Sequence, residues 1–282
     1  MLFQTNGLTT ASFKKRPMKN LIILIVLTSL LFSCNKPNEW GFQKTINLEN
    51  VSPIGLTVLN NTIWLADGDN NRLVNINDDG KTVETIEDLE RPMHLVAFKG
   101  ELYVPEYGKD QITIVNGKTT PALKIENELD APAGIDLTEK EIAIADFYNH
   151  RILLKTNNKW TTIGKKGKAK GELNYPTDVQ IAQNKIYVAD AYNNRVQVFN
   201  MQGEVLQVIG ENEKMNAATG IYVGQTALYV TDFENSKVHQ YNLDGTLHQT
   251  FTEGLNKPTD IIEHNKQLLI SNYKGKSIAV YN

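Results

Sequence analysis

One histidine and two aspartates occupy equivalent positions in a short phrase that recurs six times along the chain. The third residue of that phrase is, in sequence order, Gly55, His94, Gly134, Asp178, Gly220 and Asp260. An imidazole and two carboxylates can together ligate a divalent cation, here Ca²⁺ or Zn²⁺, or hold a polar ligand. The competing interpretation is that the carboxylates cap backbone N–H groups where strands begin. The first interpretation requires a fold that brings His94, Asp178 and Asp260 together.

The elements that must position these residues are β-strands repeated about every 40 residues. Each repeat has an apolar strand that ends in an acidic or amide residue, at 63–67, 102–106, 142–146, 186–190, 228–232 and 268–272. Its side chains alternate with period two and are apolar on both faces, which is typical of a strand in a covered sheet. Four strands fit in each repeat, so the sequence predicts an all-β fold, a six-bladed β-propeller of four-stranded antiparallel blades.

The closure of the ring is predicted from the two ends of the repeated region. The chain stops at Asn282, directly after the third strand of the sixth repeat, so that repeat lacks an outer strand. Residues 42–48 precede the first repeat and show the alternation of a strand. We therefore expect this N-terminal strand to complete the last blade and remove the open edge of the ring.

The propeller geometry is expected to bring the histidine and the two aspartates of the repeated phrase together. Blades two, four and six of a closed ring lie about 120° apart around the central axis. The same strand position in those blades belongs to His94, Asp178 and Asp260. We expect the three side chains to meet at one level of the central channel.

The turns after the second strands resemble those of the NHL repeat family. Residues 67–72, 146–151 and 190–195 match its Asp-x-x-Asn-x-Arg turn, 232–237 matches with Lys in place of Arg, and the turns that begin at Glu106 and Asn272 depart from it. The resemblance covers about residues 40–282 and implies a six-bladed propeller, a fold that hosts lyases, hydrolases, peptide-binding and RNA-binding modules. Related peptide-amidating lyases use several channel histidines for zinc, whereas only His94 holds such a position here.

The remaining histidines fall in turn, strand and loop positions where we expect solvated side chains. They are His150, His239, His248 and His264. The repeated Asp and Arg of the turns are interpreted as a pair that holds each turn rather than as a site.

The N-terminus has the pattern of a bacterial lipoprotein signal. Basic residues at 14–16 and 19 precede an apolar run that ends in Leu31-Phe32-Ser33-Cys34, and translation can start at Met1 or Met18. The last four residues resemble a lipobox, so Cys34, the only cysteine, is the predicted lipidation site. The expected organisation is a removed segment at 1–33, a lipidated cysteine and tether at 34–39, and the propeller at 40–282. This places the protein on the bacterial cell envelope, at the outer membrane in a Gram-negative cell, held to the membrane through a lipid anchor.

The charge excludes one class of partner. Loss of residues 1–33, which carry four basic and no acidic residues, changes the formal net charge from −3 to −7. We therefore expect no nucleic acid partner, because that binding depends on phosphate neutralisation by Lys and Arg. One local exception is residues 164–171, which are rich in Gly and Lys but lack the order of a phosphate-binding loop. This stretch is interpreted as a mobile basic loop or as a contact for an anionic envelope polymer or lipid head group.

Two functions follow from these observations. The first is an envelope-anchored, non-catalytic binding or scaffolding propeller that recognises a protein, peptide or glycan. The alternative is a metal-dependent hydrolase or lyase with a channel site at His94, Asp178 and Asp260.

Overall fold

The structure is a computed structural model that describes residues 1–3, 7, 37–117 and 120–282. The chain separates into two compact units, Met1–Asn35 and Lys36–Asn282. In the first unit the described residues form neither helix nor strand. The apolar signal segment and Cys34 lie outside the described residues. Within the described ranges, no helix is both long and apolar enough to cross a membrane.

The second unit is a six-bladed β-propeller, which confirms the predicted fold. The N-terminal strand is β1 (Phe42–Asn47). Blade one contains β2 (Pro53–Leu59), β3 (Thr62–Asp67), β4 (Arg72–Ile76) and β5 (Thr82–Ile86). Blade two contains β6 (Val96–Phe98), β7 (Glu101–Glu106) and β8 (Gln111–Val115). Blade three contains β9 (Pro132–Leu137), β10 (Glu141–Asp146), β11 (Arg151–Thr156) and β12 (Lys159–Ile163).

The second half of the ring repeats this arrangement. Blade four contains β13 (Pro176–Ala182), β14 (Lys185–Asp190), β15 (Arg195–Asn200) and β16 (Val205–Ile209). Blade five contains β17 (Ala218–Val223), β18 (Ala227–Asp232), β19 (Lys237–Asn242) and β20 (Leu247–Phe251). Blade six contains β21 (Pro258–His264), β22 (Gln267–Asn272) and β23 (Ser277–Tyr281). Short 3-10 turns follow β3 and β14, at Gly68–Asn70 and Ala191–Asn193.

The ring closes as the sequence predicts. Strand β1 pairs antiparallel with β23, with Phe42 opposite Tyr281 and Asn47 opposite Ser277. Gly41 and Asn282 exchange two backbone hydrogen bonds of 2.9 and 3.0 Å just beyond that ladder. Blade six is therefore a four-stranded sheet in the order β1-β23-β22-β21, built from both ends of the propeller.

The core lies between neighbouring blades rather than within one. In one cluster, Tyr187 and Val196 of blade four pack against Ile221 and Val230 of blade five, and all four side chains are buried. Each blade is thus covered on both faces, as the apolar character of the second strands predicts.

Blade two departs from the regular pattern. Its inner phrase forms only isolated bridges, among them a parallel bridge from His94 to Gly134 of blade three. Its outer strand is reduced to a bridge between Thr113 and Ala122, next to Pro121, which has no N–H to donate to a ladder. The blade therefore has three regular strands, whereas the other five have four.

Two faces of the ring are distinguished below. The upper face carries the turns between the second and third strands, such as 68–71, together with the connections between blades. The lower face carries the turns between the first and second strands, such as Asn60 and Asn61. The first strand of every blade runs from the upper face to the lower face along the central channel.

Candidate functional site in the central channel

The structure places His94, Asp178 and Asp260 together in the central channel. One potential ligand atom from each side chain lies within 4.8 Å of the other two. The three residues are 4%, 7% and 6% exposed, so the cluster is almost fully shielded from solvent. The shared third position of the repeated phrase is therefore sufficient to predict that these three side chains lie together.

The intervening glycines explain why only alternate blades contribute a side chain. A Cβ added at Gly55, Gly134 or Gly220 would lie 2.8 Å from the Cα of the equivalent residue in the next blade. Those next residues are His94, Asp178 and Asp260. The first strands of blades one and two, three and four, and five and six therefore approach too closely for a second side chain.

Both carboxylates are held by the backbone. The two oxygens of Asp178 accept hydrogen bonds of 2.8 Å from the N–H groups of Val179 and Ile221. The two carboxylate oxygens of Asp260 accept hydrogen bonds from the N–H of Ile261 at 2.8 Å and the N–H of Leu56 at 2.9 Å. Each aspartate thus links its own strand to the next blade, as the capping interpretation predicts. Each oxygen has a second lone pair, so a carboxylate held in this way can still accept a proton or a cation.

The imidazole of His94 faces this acidic pair. Its Nδ1 lies 3.5 Å from Oδ2 of Asp260, and no group in the described part of the chain forms a hydrogen bond with it. Burial opposes protonation of His94, but the charges of Asp178 and Asp260 outweigh it and raise the pKa of the imidazole. Burial, reinforced by the charge of Asp260, raises the pKa of Asp178 to about 7. The cluster therefore favours a bound proton or a bound cation.

A third channel carboxylate, Asp136, is not among the residues that the sequence predicts. Asp136 lies two residues after Gly134 and lines a lower cavity of about 170 Å³, beside His94, Asp178 and Asp260. Its Oδ2 accepts the N–H of Ile181 at 2.7 Å, and burial raises its pKa to about 7. Residues two apart on a strand share a face. Asp136, the fifth residue of the phrase in blade three, therefore lies on the same channel-facing side as the third residue, Gly134.

A larger cavity of about 520 Å³ opens on the upper face above the cluster, and His94 lines it as well. Aromatic side chains from the turns of different blades form part of its wall: Phe147, Tyr192, Phe233 and Tyr273. Polar groups of Thr177, Thr219, Thr259, Asn194 and Asn216 also line it, together with apolar side chains such as Ile54 and Met93 and the charged Arg91 and Glu234. The signal in the sequence was an aromatic residue directly after the last residue of the second strand in four of the six repeats, at Tyr107, Phe147, Phe233 and Tyr273.

Five aromatic residues continue from this cavity across blades two to four, and we call them the aromatic cradle: Tyr107, Phe147, Tyr148, Tyr175 and Tyr192. The ring centroids of Phe147 and Tyr175 are 4.8 Å apart, and those of Tyr175 and Tyr192 are 4.9 Å apart. Tyr148 and Tyr192 are 47% and 62% exposed. Such large side chains exposed side by side indicate a contact surface.

The turn acids hold the upper connections rather than forming a site. Asp190 is fully buried, accepts the N–H of Asn174 at 2.7 Å and pairs with Arg195 at 2.9 Å. The two turns that depart from the Asp-x-x-Asn-x-Arg pattern are held in the same way. Glu106 accepts a hydrogen bond from the N–H of Glu90 at 2.6 Å, and Asn272 accepts one from the N–H of Asn256 at 3.0 Å. The interpretation of these residues as turn-holding therefore agrees with their contacts.

Two histidines expected to be solvated are buried instead. Nε2 of His239 lies 3.3 Å from Oδ2 of Asp232, and blade five has Lys237 where three other turns have an arginine that pairs with the acid. Nδ1 of His150 accepts the N–H of Tyr175 at 3.1 Å. Both side chains have structural partners that strand alternation alone does not indicate.

Comparison with known proteins supports this description. The family model for the NHL repeat matches residues 173–199, which span the start of blade four and its characteristic turn. The chain therefore carries a match to the NHL repeat within a six-bladed β-propeller. No curated protein matches its sequence.

Solved structures similar to this propeller share its fold at low sequence identity. A catalytically inactive virginiamycin B lyase from Staphylococcus aureus with quinupristin is 21% identical, with a TM-score of 0.63 over 86% of this chain and 85% of that chain. A streptogramin B lyase is 14% identical, with a TM-score of 0.65 over 86% and 97%. A gluconolactonase from Xanthomonas campestris is 14% identical, with a TM-score of 0.69 over 84% and 88%.

Proposed function

We propose that this NHL-repeat propeller is a non-catalytic binding protein of the bacterial cell envelope, which holds a protein, peptide or glycan on its upper face. The observation that carries the proposal is the 520 Å³ cavity above the channel, with aromatic rings from several blades in its wall. Its volume lies within the range of about 300–1,000 Å³ typical of ligand sites. Rings on turns that are fixed by buried acids lose little conformational entropy when a ligand binds.

The envelope location in this proposal rests on the lipobox at residues 31–34. A lipid on Cys34 would hold the protein at a membrane, since the first strand of the propeller begins only eight residues later, at Phe42. A tether this short would keep the propeller, and with it the upper cavity, close to other components of the envelope.

The test is to isolate the full-length protein from membranes after mild crosslinking and to identify bound components by mass spectrometry. A Phe147→Ala/Tyr192→Ala variant removes two rings of the cavity, and Val83→Ala/Leu206→Ala removes two exposed apolar side chains from outer strands as a matched control. We expect the component to be lost from the first variant and retained by the second. A Cys34→Ala form should lose the membrane association. Equal recovery from both ring and control variants would contradict binding in the upper cavity.

A specific observation favours a second function, a metal-dependent hydrolase or lyase. Three potential ligand atoms converge within 4.8 Å, and Nδ1 of His94 is buried without a hydrogen-bond partner in the described part of the chain. One imidazole and two carboxylates suit Zn²⁺ better than Ca²⁺, which prefers a shell of oxygen ligands. A cation held there would supply Lewis acidity toward a ligand oxygen at the floor of the upper cavity.

Metal content and thermal unfolding test this second function. We expect Zn²⁺ to bind and to raise the Tm of the wild type, and His94→Ala and Asp178→Asn to abolish both effects. Asp136→Asn is the control, because it removes a channel carboxylate outside the proposed ligand set. Absence of bound metal after loading with zinc or calcium would exclude this function.

A further inference from the structure

The basic stretch singled out in the sequence lies on the upper face, between β12 of blade three and β13 of blade four. Its lysines are Lys165, Lys166, Lys168 and Lys170, and all four are exposed. The only acidic residue within 164–173 is Glu172. We call residues 164–173 the basic loop.

Hydrogen bonds hold the basic loop in one conformation. The N–H of Leu173 donates to the carbonyl of Lys165 at 2.8 Å, and that of Gly167 donates back to Leu173 at 3.0 Å. Nδ2 of Asn193 donates to the carbonyl of Gly167 at 2.9 Å, and Nη2 of Arg195 donates to that of Ala169 at 2.8 Å. These contacts favour a fixed loop over the mobile one considered from composition.

Most of the positive charge on this loop is unneutralised. Lys165 lies 3.5 Å from Glu172. Lys166, Lys168 and Lys170 form no ion pair with any described residue. On a chain with net negative charge, three unpaired lysines on a fixed loop form a local patch of positive charge that attracts anions.

The basic loop and the aromatic cradle are continuous. The loop leads directly to Tyr175, whose ring centroid lies 4.3 Å from that of His150 and 4.9 Å from that of Tyr192. Asn193, which holds the loop at Gly167, is the residue after Tyr192. Burial and the charge of Lys166 together lower the pKa of the His150 imidazole. The basic loop and the exposed rings are therefore adjacent on the upper face.

We infer that the aromatic cradle and the basic loop together bind an acidic glycan, a polysaccharide that carries carboxylate or phosphate groups. This inference rests on the proposed binding function and names its ligand class. The C–H face of a sugar ring carries slight positive charge and stacks on the negative face of an aromatic ring such as that of Tyr192. The acidic groups of neighbouring sugars then pair with Lys166, Lys168 and Lys170.

The arrangement favours a glycan over a membrane surface. Tyrosines supply most of the cradle, and their rings lie side by side at the edge of a cavity lined by threonine and asparagine. A headgroup contact would instead need a broad apolar face beside the basic residues, which inserts into the acyl chains. Rings beside hydrogen-bonding groups match the alternating apolar and hydroxyl surfaces of a sugar chain.

The experiment measures binding of the full-length, detergent-solubilised protein to polygalacturonate, with dextran as the neutral glycan. We expect polygalacturonate to bind and dextran not to bind. Binding should fall about tenfold in Lys166→Gln/Lys168→Gln/Lys170→Gln, from the loss of three exposed ion pairs. It should also fall about tenfold in Tyr192→Ala, from the loss of a stacking ring. Higher salt should weaken the wild type far more than the lysine variant.

The control variant is Lys140→Gln/Lys185→Gln/Lys266→Gln, which removes the same charge from the lower face and should bind as the wild type does. Vesicles of equal parts phosphatidylglycerol and phosphatidylcholine provide the membrane comparison. Binding to these vesicles without binding to polygalacturonate, or equal loss in both lysine variants, would overturn the inference. If the basic-loop variant retains the crosslinked component that Phe147→Ala/Tyr192→Ala loses, the glycan inference fails while the proposed function stands.

Discussion

Individual side chains in the channel accept backbone hydrogen bonds and also interact with one another. Asp178 accepts two backbone N–H groups and also faces His94, and Asp260 does the same. The capping and cation-binding interpretations of these aspartates are therefore compatible. Capping fixes the carboxylates, and their fixed positions create the concentrated negative charge that a proton or a cation relieves.

At this scale, we expect the metal-free protein to lose stability as pH rises. Burial raises the pKa of Asp178 from an ordinary value of 3.8 to about 7, so between these values the folded state keeps a proton that the unfolded chain has released. The raised pKa of His94 acts in the same direction, because its contribution is present below 6.5 and is lost as pH rises through the folded pKa. Urea unfolding in the presence of a chelator at pH 5 and pH 8 measures this loss.

The Asp178→Asn variant is the control for that pH dependence. It also removes an acceptor for a backbone N–H group, so its absolute stability falls, and the useful quantity is the slope of stability against pH. We expect a clearly smaller slope than in the wild type. Identical slopes would show that the channel cluster does not titrate as described.

Residue placement could be predicted from the sequence where the repeat determines it. His94, Asp178 and Asp260 share one strand position, so symmetry alone brings them to one level. The aromatic cradle could not be predicted in this way, because its rings lie on turns and on the connection at Tyr175, and their contacts depend on the spacing of whole blades. The contact of His239 with Asp232 likewise depends on Lys237, which stands where the matching turns have arginine and lies two strands away from the channel position at Gly220.

At the scale of elements, the close approach of first strands determines which side chains the channel can hold. The backbones of blades five and six meet at Gly220, where a Cβ would lie 2.8 Å from the Cα of Asp260. The sequence shows the alternation of glycine with larger residues, but the reason for it appears only when neighbouring strands are placed side by side. First strands also approach each other between blades two and three, where His94 forms a parallel bridge to Gly134 although blade two lacks a regular inner strand at that point.

We therefore expect Gly220→Ala to destabilise the propeller by about 2 kcal/mol or more, because the added methyl overpacks a contact between two backbones. Gly224→Ala, at the end of the same strand, is the matched control, since the nearest atom to its added Cβ is 3.5 Å away. Urea unfolding of both variants measures the difference. Equal stability would mean that the two strands can separate without cost.

At the scale of the whole molecule, the N-terminal segment joins blade six to blade five. Nε1 of Trp40 donates to the hydroxyl of Tyr229 at 2.8 Å, and its backbone N–H donates to Gln249 at 3.1 Å. The Trp40 side chain is buried in a cluster with Phe251 and Tyr281. The closing strand was predictable from the missing fourth strand of the last repeat, but this additional attachment lies outside the repeat and has no counterpart in it.

Replacement of Trp40 with alanine is expected to lower the free energy of unfolding by about 3–5 kcal/mol, through loss of a buried indole and its hydrogen bond. Trp160→Ala, on outer strand β12 where the side chain is partly exposed, should cost distinctly less. Thermal and urea unfolding of the two variants provide the comparison. A smaller effect at Trp40 than at Trp160 would contradict a role for this segment in closing the ring.

The pairing of Phe42 with Tyr281 also has a consequence for synthesis. Strand β1 has its partner in β23, which is synthesised after all the other described strands, so a chain that stops before β23 cannot complete blade six. Such a chain leaves β1 as an unpaired edge with uncovered apolar side chains, which exposes it to proteolysis and aggregation. Synthesis of β23 (Ser277–Tyr281) is therefore the step on which closure of the ring depends.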